Sequence, residues 1–155
     1  MSWPAGEFEE FHRVTEPALR RALVARFGAA NGVEATHLAL VWAWEHHAQV
    51  LELRSPVAYL FRVGSSRLRK IQRIPDQPLE AVDVAITDRY EDRDLTRALA
   101  RLTERQRTVC VLVHGLGWSQ ADIAEGLGIS ASTVHLHLTT ALQQLALHLT
   151  EEVRS

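Results

Sequence analysis

Two stretches hold the side chains with the most chemical use. Residues 54 to 75 include six basic groups and no acid, in a 155-residue chain whose formal net charge is −2. Arg62, Arg67, Arg69, Lys70 and Arg73 lie close together there, with Tyr59 and Phe61 about one turn earlier and Ser66 among them. Cationic groups neutralise phosphates and aromatic rings stack on unpaired bases, so this composition suits a single-stranded nucleic-acid contact. The competing reading is a solvated helix face with Tyr59 and Phe61 in the core.

The second stretch is "LGISASTVHLHLTTALQQL", residues 127 to 145. Ser130, Ser132, Thr133 and Thr139 offer hydroxyls, Gln143 an amide, and His135 and His137 imidazoles on either side of Leu136. These groups hydrogen-bond to base edges or phosphates, and a helix beginning at Ser130 presents free N–H groups to a phosphate. No Lys, Arg, Asp or Glu occurs between Gly126 and Thr150. An unperturbed His is mostly neutral at pH 7, so release of counterions contributes little affinity here. Such a helix reads a duplex when something else holds it there, or else it presents Leu136 and Leu147 to a protein.

The elements that must position these groups are helical. Apolar residues recur at three and four positions and no period-two alternation appears, so the spacing predicts an all-α chain. A first helix is expected from Glu7 to Phe27, with Phe8, Phe11, Val14, Leu19, Leu23 and Phe27 inward, Pro17 as a break or kink, and Gly28 as its stop. A second is expected from Val33 to Leu53 after an Asn31-Gly32 turn, carrying Leu38, Val41, Trp42, Trp44 and Val50. Ser55 and Pro56 have the residue types of an N-cap and first turn for a third, ending near Arg73.

From Ile74 the periodicity lapses and acids accumulate around Pro75 and Pro78. This divides the chain into a first helical domain over 1–75, an acidic linker over 76–92 and a second helical domain over 93–155. In the second domain Thr103 and Gln106 fit a capping box. Ser119 and Ser130 then open two short helices, with Trp118 stapling to Ile123 and Ile129 to Val134. Gly128 between them is placed for the positive φ of a tight turn, so Gln120 to Leu138 reads as a helix-turn-helix. Along its second helix Val134, Leu138, Leu142, Leu145 and Leu149 form the expected buried stripe. Ser132, Leu136, Thr139, Thr140, Gln143 and Leu147 face outward.

The stretch "ALARLTERQRTVCVLVHGLGWSQADIAEGLGISASTVHLHL" resembles region 4 of bacterial RNA polymerase sigma factors. "EATHLALVWAW" and "SPVAYLFRVGSSRLRKIQR" are similar to the helices of region 2, and the two-part layout to the extracytoplasmic-function (ECF) group. The resemblance implies an initiation factor whose partners are core RNA polymerase and promoter DNA, with an anti-sigma factor or another sigma factor as a further partner. By that resemblance Tyr59, Arg62, Ser66, Arg67, Arg69, Lys70 and Arg73 serve the −10 element. Ser130, Ser132, Thr133, His135, Leu136, His137 and Thr139 serve the −35 element, and Glu34, His37, Leu38 and Trp42 meet polymerase. Several positions depart from the family pattern: Ser66 stands for Asn, Glu34 for Asp, His37 for Gln, Leu38 for Glu, and His135 and His137 for Lys or Arg.

Other classes fare poorly. Adjacent or alternate His residues on a helix diverge, and no Cys or carboxylate set completes a tetrahedron, so no metal or other cofactor is expected. No phosphate-cradling glycine loop or nucleophile elbow points to an enzyme. Cys110, the single cysteine, sits in an apolar run and reads as a buried thiol. With no apolar run near the roughly 18 residues of a membrane span and no signal peptide, a cytoplasmic protein is expected. Two rivals to a working initiation factor stay open: a degenerate sigma-like regulator acting through protein contacts, and a free-standing helix-turn-helix repressor.

Overall fold

Pro17 does not interrupt the first helix. In the computed structural model, which describes residues 2–72 and 93–154, α1 runs unbroken over Glu7–Phe27. A proline inside a helix costs ~3 kcal/mol. Leu19, Leu23 and Phe27 are buried behind it, and full burial contributes ~1.5–3 kcal/mol for each such side chain, which outweighs that cost. Gly28, at φ 89°, stops the helix and donates its N–H to the Val24 carbonyl. Val14 is exposed and Thr15 takes the inward position in its place.

The second helix starts earlier and stops sooner than its periodicity suggests. α2 covers Ala29–Glu45, so Asn31 and Gly32 are helical and form no turn. A Cβ on Gly32 would stand 2.5 Å from the Cα and N of Val24. Gly32 is therefore the point where α1 and α2 touch backbone to backbone, a requirement of packing that has no local signature. At the other end the His46 Nδ1–H donates to the Trp42 carbonyl at 2.8 Å and its ring stacks on the Trp42 indole at 4.4 Å. The chain turns there into a short α3, His47–Leu51.

α4 covers Pro56–Gln72, and the Ser55 Oγ accepts from the Ala58 N–H. It lies against α1 and α2, and a Cβ on Gly64 would stand 2.6 Å from the Ala35 carbonyl oxygen. α5, Arg93–Ala100, and α6, Glu104–Cys110, open the second unit, with the Thr103–Gln106 capping box formed in both directions. A wide π-turn over Val111–Gly115 ends α6. α7, Gln120–Leu127, and the long α8, Ala131–Arg154, complete the chain. No strand occurs among the described residues, and none of their helices is long and apolar enough to cross a membrane. Arg73 and the stretch 76–92 lie outside the described residues.

On α8 the inward positions are Val134, Leu138, Ala141 and Leu145, while Leu142 is 44% exposed. The spacing of four, three and four places Ala141 against α5 and α6, beside Ala98, Leu99, Leu102 and Cys110. Burial raises the Cys110 thiol above its ordinary pKa.

A single core crosses from the first unit into the second. Leu19, Leu60, Phe61 and Leu68 share it with Val109, Leu112, Ile123 and Val134. Within it Arg26 of α1 binds Glu104 of α6, Nε to Oε1 at 3.1 Å, and its Nη1 donates to Ser65 of α4. Both charged side chains are buried, and burial pushes the Arg26 guanidinium down to about 10 despite the attraction of Glu104.

Two stability measurements check this packing. Gly32→Ala is expected to cost ~1–3 kcal/mol, because the added methyl forces α1 and α2 apart; a denaturation midpoint equal to wild type would contradict the close crossing. Glu104→Ala strands a buried cation and is expected to cost ~3–5 kcal/mol. The double change Arg26→Met/Glu104→Ala should cost clearly less than the two single losses summed, and additive losses in that double-mutant cycle would remove the ion pair as a unit.

Candidate nucleic-acid interface

The angle between α7 and α8 is built from local chemistry. The Ser119 Oγ accepts from the Asp122 N–H at 3.1 Å and starts α7. Gly128 then adopts φ 68°, and the Ile129 N–H returns to the Ala124 carbonyl at 3.0 Å. The Ser130 Oγ accepts from the Thr133 N–H at 3.1 Å and lies 2.7 Å from the Thr133 hydroxyl and 3.1 Å from that of Ser132. Ile123 and Val134 are fully buried in the angle, with Trp118 and Ile129 half-buried beside them. This is a helix-turn-helix in its complete form.

Of the residues read as facing a duplex, Ser130, Ser132, His135, Leu136 and Thr139 are exposed, whereas Thr133 and His137 are half-buried. Ser130 spends its oxygen on the cap, so its part in any contact is to hold the helix start in place. Burial, and then the nearby charge of Arg105, lowers the His137 pKa. The lowered pKa keeps the neutral imidazole favoured at pH 7. Arg105 is a residue that the recognition-helix pattern could not reveal. It stands on α6, which packs against α8, and brings positive charge to the flank of a helix that has no Lys or Arg before Thr150. Its signal was present in "TERQR", ahead of the motif rather than within it.

On α4 the exposed line is Arg62, Ser66 and Lys70, four residues apart on one face. Arg67 is half-buried. Arg69 turns inward, its guanidinium 5.6 Å over the Phe27 ring. Phe61 is fully buried and meets Trp118 edge to face at 5.4 Å, so no base can stack on it. Tyr59 is half-buried, 5.3 Å from the Trp42 ring. Thus the line and Tyr59 share a helix, while two aromatic and cationic candidates serve the interior.

α2 shows a similar division. Trp42 is buried between His46 and Tyr59, and Leu38 packs against the core. Glu34 is half-buried and His37 exposed. The outward line is Val33, His37, Val41 and Trp44, with Val41 and Trp44 each 50% exposed. With Trp42 against Tyr59 of α4 and Leu38 against the core, the exposed apolar side chains of α2 are Val33, Val41 and Trp44.

The two units touch at the helix-turn-helix. The Arg54 Nη2 binds Asp122 at 2.9 Å and Glu125 at 2.7 Å, both on α7. The Arg62 guanidinium carbon lies 3.6 Å from where a Cβ on Gly128 would stand. A Cβ on Gly126 would stand 3.1 Å from the Phe61 ring and 3.3 Å from the Ala58 carbonyl oxygen.

A helix-turn-helix beside a second helix with an exposed cationic line defines a DNA-reading regulatory protein. Residues 92–145 match the family described as Sigma-70, region 4. The chain is 34% identical over 150 residues to an RNA polymerase sigma-E factor of Streptomyces avermitilis, covering 90% of this chain and 83% of that one. It is 30% identical over 145 residues to the ECF RNA polymerase sigma factor SigL of Mycobacterium tuberculosis, covering 85% and 82%. In fold it resembles the sigma factor RpoE of Bartonella quintana, solved with the anti-sigma factor NepR, at a TM-score of 0.69 and 20% identity, over 93% of this chain and 97% of that one. CnrH, solved with the cytosolic domain of CnrY, gives a TM-score of 0.61 at 24% identity, over 93% and 88%. The chain belongs to the ECF RNA polymerase sigma factors.

The neutrality of the reading helix is directly measurable. His135→Arg, on the exposed face, is expected to steepen the slope of log K against log salt by about 0.9 for duplex binding, one phosphate's worth. Fluorescence anisotropy across a salt series reads this, and an unchanged slope would place residue 135 away from the duplex.

Proposed function

We propose that this chain joins core RNA polymerase in the cytoplasm and directs it to promoters. In this reading α4 meets the −10 element and α7 with α8 meets the −35 element. The observation that carries it is the pairing of a complete helix-turn-helix with the exposed Arg62, Ser66 and Lys70 line beside Tyr59. Once strands are separated, a cationic line holds the backbone while the face of a tyrosine ring stacks on a base. Ser132, His135 and Thr139 hydrogen-bond at the duplex, Ser130 fixes the helix start, and Arg105 supplies a phosphate contact from the side. Such sparse charge gives register more than affinity, so polymerase supplies the hold. The third element is α2, whose Val33, Val41 and Trp44 with His37 and Glu34 form a mostly apolar face toward polymerase. No group in this scheme makes or breaks a covalent bond.

A second reading has one specific observation in its favour. Leu136 and Leu147 are 62% and 57% exposed on the stretch of α8 before Thr150 that carries no Lys, Arg, Asp or Glu, a surface that suits a protein partner such as an anti-sigma factor or another sigma factor. On that reading the chain regulates through protein contacts, and Leu136→Ser/Leu147→Ser abolishes partner capture.

Reconstitution separates the two. Core polymerase with this chain is expected to give run-off transcripts from promoter fragments enriched by the same complex, and Val41→Ser/Trp44→Ser should weaken its binding to core at least about tenfold. Stable binding to core with no transcript from any enriched fragment would favour the second reading and remove the first.

A further inference from the structure

We propose that an arginine row on α5, Arg93, Arg97 and Arg101, extends the flanking contact of Arg105 into a second DNA-backbone site, separate from the reading helix, that binds phosphates beside the −35 element. The inference rests on the initiation reading above and adds to it a surface outside the helix-turn-helix.

Its starting point is a spacing. Arg93, Arg97, Arg101 and Arg105 recur at every fourth residue in the stretch "RDLTRALARLTER". Arg93 and Arg97 stand on α5, and the Arg101 N–H donates to the Arg97 and Ala98 carbonyls, which carries the helical turn one residue further. Residues four apart on a helix share a face. The opposite face is committed: Ala98, Leu99 and Leu102 are buried with Ala141 and Leu145 of α8, and Leu95 packs beside them. Burial of that face turns Arg93, Arg97 and Arg101 outward, and all three are exposed. Arg105 follows, half-buried in the first turn of α6.

Nearby acids do not cancel the row. Asp94 is the single acid of α5, and Glu104 is buried on Arg26. Glu151 meets Arg101 at 3.4 Å in a pair whose two side chains are each more than half exposed. Solvent screens such a pair, so it exchanges readily for another anion.

What the row holds follows from the spacing of its charge and from its neighbour. A rise of ~1.5 Å per residue sets successive arginines ~6 Å apart, and Arg93 to Arg101 spans ~12 Å. One DNA strand carries a phosphate every ~3.4 Å along the helix axis, so that length covers about three or four of them. A guanidinium fork also matches phosphate oxygens two at a time. An acidic protein would offer the same kind of oxygen, but continuity favours DNA. At one end the charge of Arg105 acts on His137 of the reading helix; Arg101 reaches Glu151 near the far end of the same helix. The row therefore runs beside α8, whose stretch before Thr150 has no Lys or Arg. The work is divided between two helices: α8 supplies register, and α5 supplies the positive charge that α8 lacks.

The test uses the full chain in saturating excess over core polymerase, on promoter fragments enriched by that complex. Arg93→Gln/Arg97→Gln is expected to make the slope of log K against log salt shallower by about 1.8, two phosphates at ~0.9 each. Arg93→Lys/Arg97→Lys should keep the wild-type slope, because the slope counts neutralised phosphates. Hydroxyl-radical footprints of the Gln variant should lose protection on the backbone beside the −35 element and keep it over the element itself. An unchanged slope would overturn the proposal. Affinity for core polymerase is measured in parallel; a tenfold loss there with a wild-type slope on DNA would assign the row to an acidic protein face and overturn it as well. Failure of the wild-type complex to enrich any promoter fragment would instead remove the initiation reading on which the proposal rests.

Discussion

Arg26 takes a guanidinium into the middle of the protein, where three elements must answer it at once. Glu104 comes from α6 and Ser65 from α4, and the rings of Phe27 and Phe61 stand 5.1 and 5.4 Å from the guanidinium carbon. Glu104 is itself tied by the Thr108 hydroxyl. A buried charge without its partners destabilises a fold far more than one poorly packed methyl group does, so the positions of α1, α4 and α6 are mutually constrained. Once those three are set, Phe61 reaches Trp118, Gly126 is left little room for a Cβ, and the start of α7 falls within reach of Arg54.

The same constraint shapes how charge is distributed toward DNA. Cations on α4 divide between an outer line and inner positions, with Arg69 drawn over Phe27 and Arg62 held at the helix-turn-helix. On the second unit the reading helix carries hydroxyls and imidazoles, and Arg105 on a neighbouring helix brings a permanent positive charge near His137. A protein arranged in this way relies on contacts that specify position, and on a larger partner for affinity. Membership of the ECF sigma factors fits that arrangement, since a factor that travels on polymerase has no need of strong autonomous binding.

How far the sequence alone could be read depended on the range of the interaction involved. The caps at Ser55, Thr103, Ser119 and Ser130, the stop at Gly28 and the turn at Gly128 were all legible, because each is a bond or a dihedral within four residues. Gly32 was misread as a turn because its reason lies in Val24 of another helix. Leu142 and Val14 were expected inside and are exposed, since 3.6-residue periodicity tolerates a shift by one when Ala141 or Thr15 suits the neighbour better. On α2 and α4 the residue types were legible but their facing was not: Trp42, Phe61 and Arg69 are committed to the interior.

By itself the sequence determined the all-helical class, the helix-turn-helix, the family and the shortage of charge on the reading helix. These follow from residue identity, local bonds and net charge, none of which needs a neighbour distant in the chain. Only the tertiary structure decided which cations face solvent, where the apolar face of α2 lies, and that one core runs from the first unit into the second. Those outcomes depend on which side chains meet across tens of residues, as Arg26 meets Glu104, and a helical repeat carries no record of the partner it will bury against.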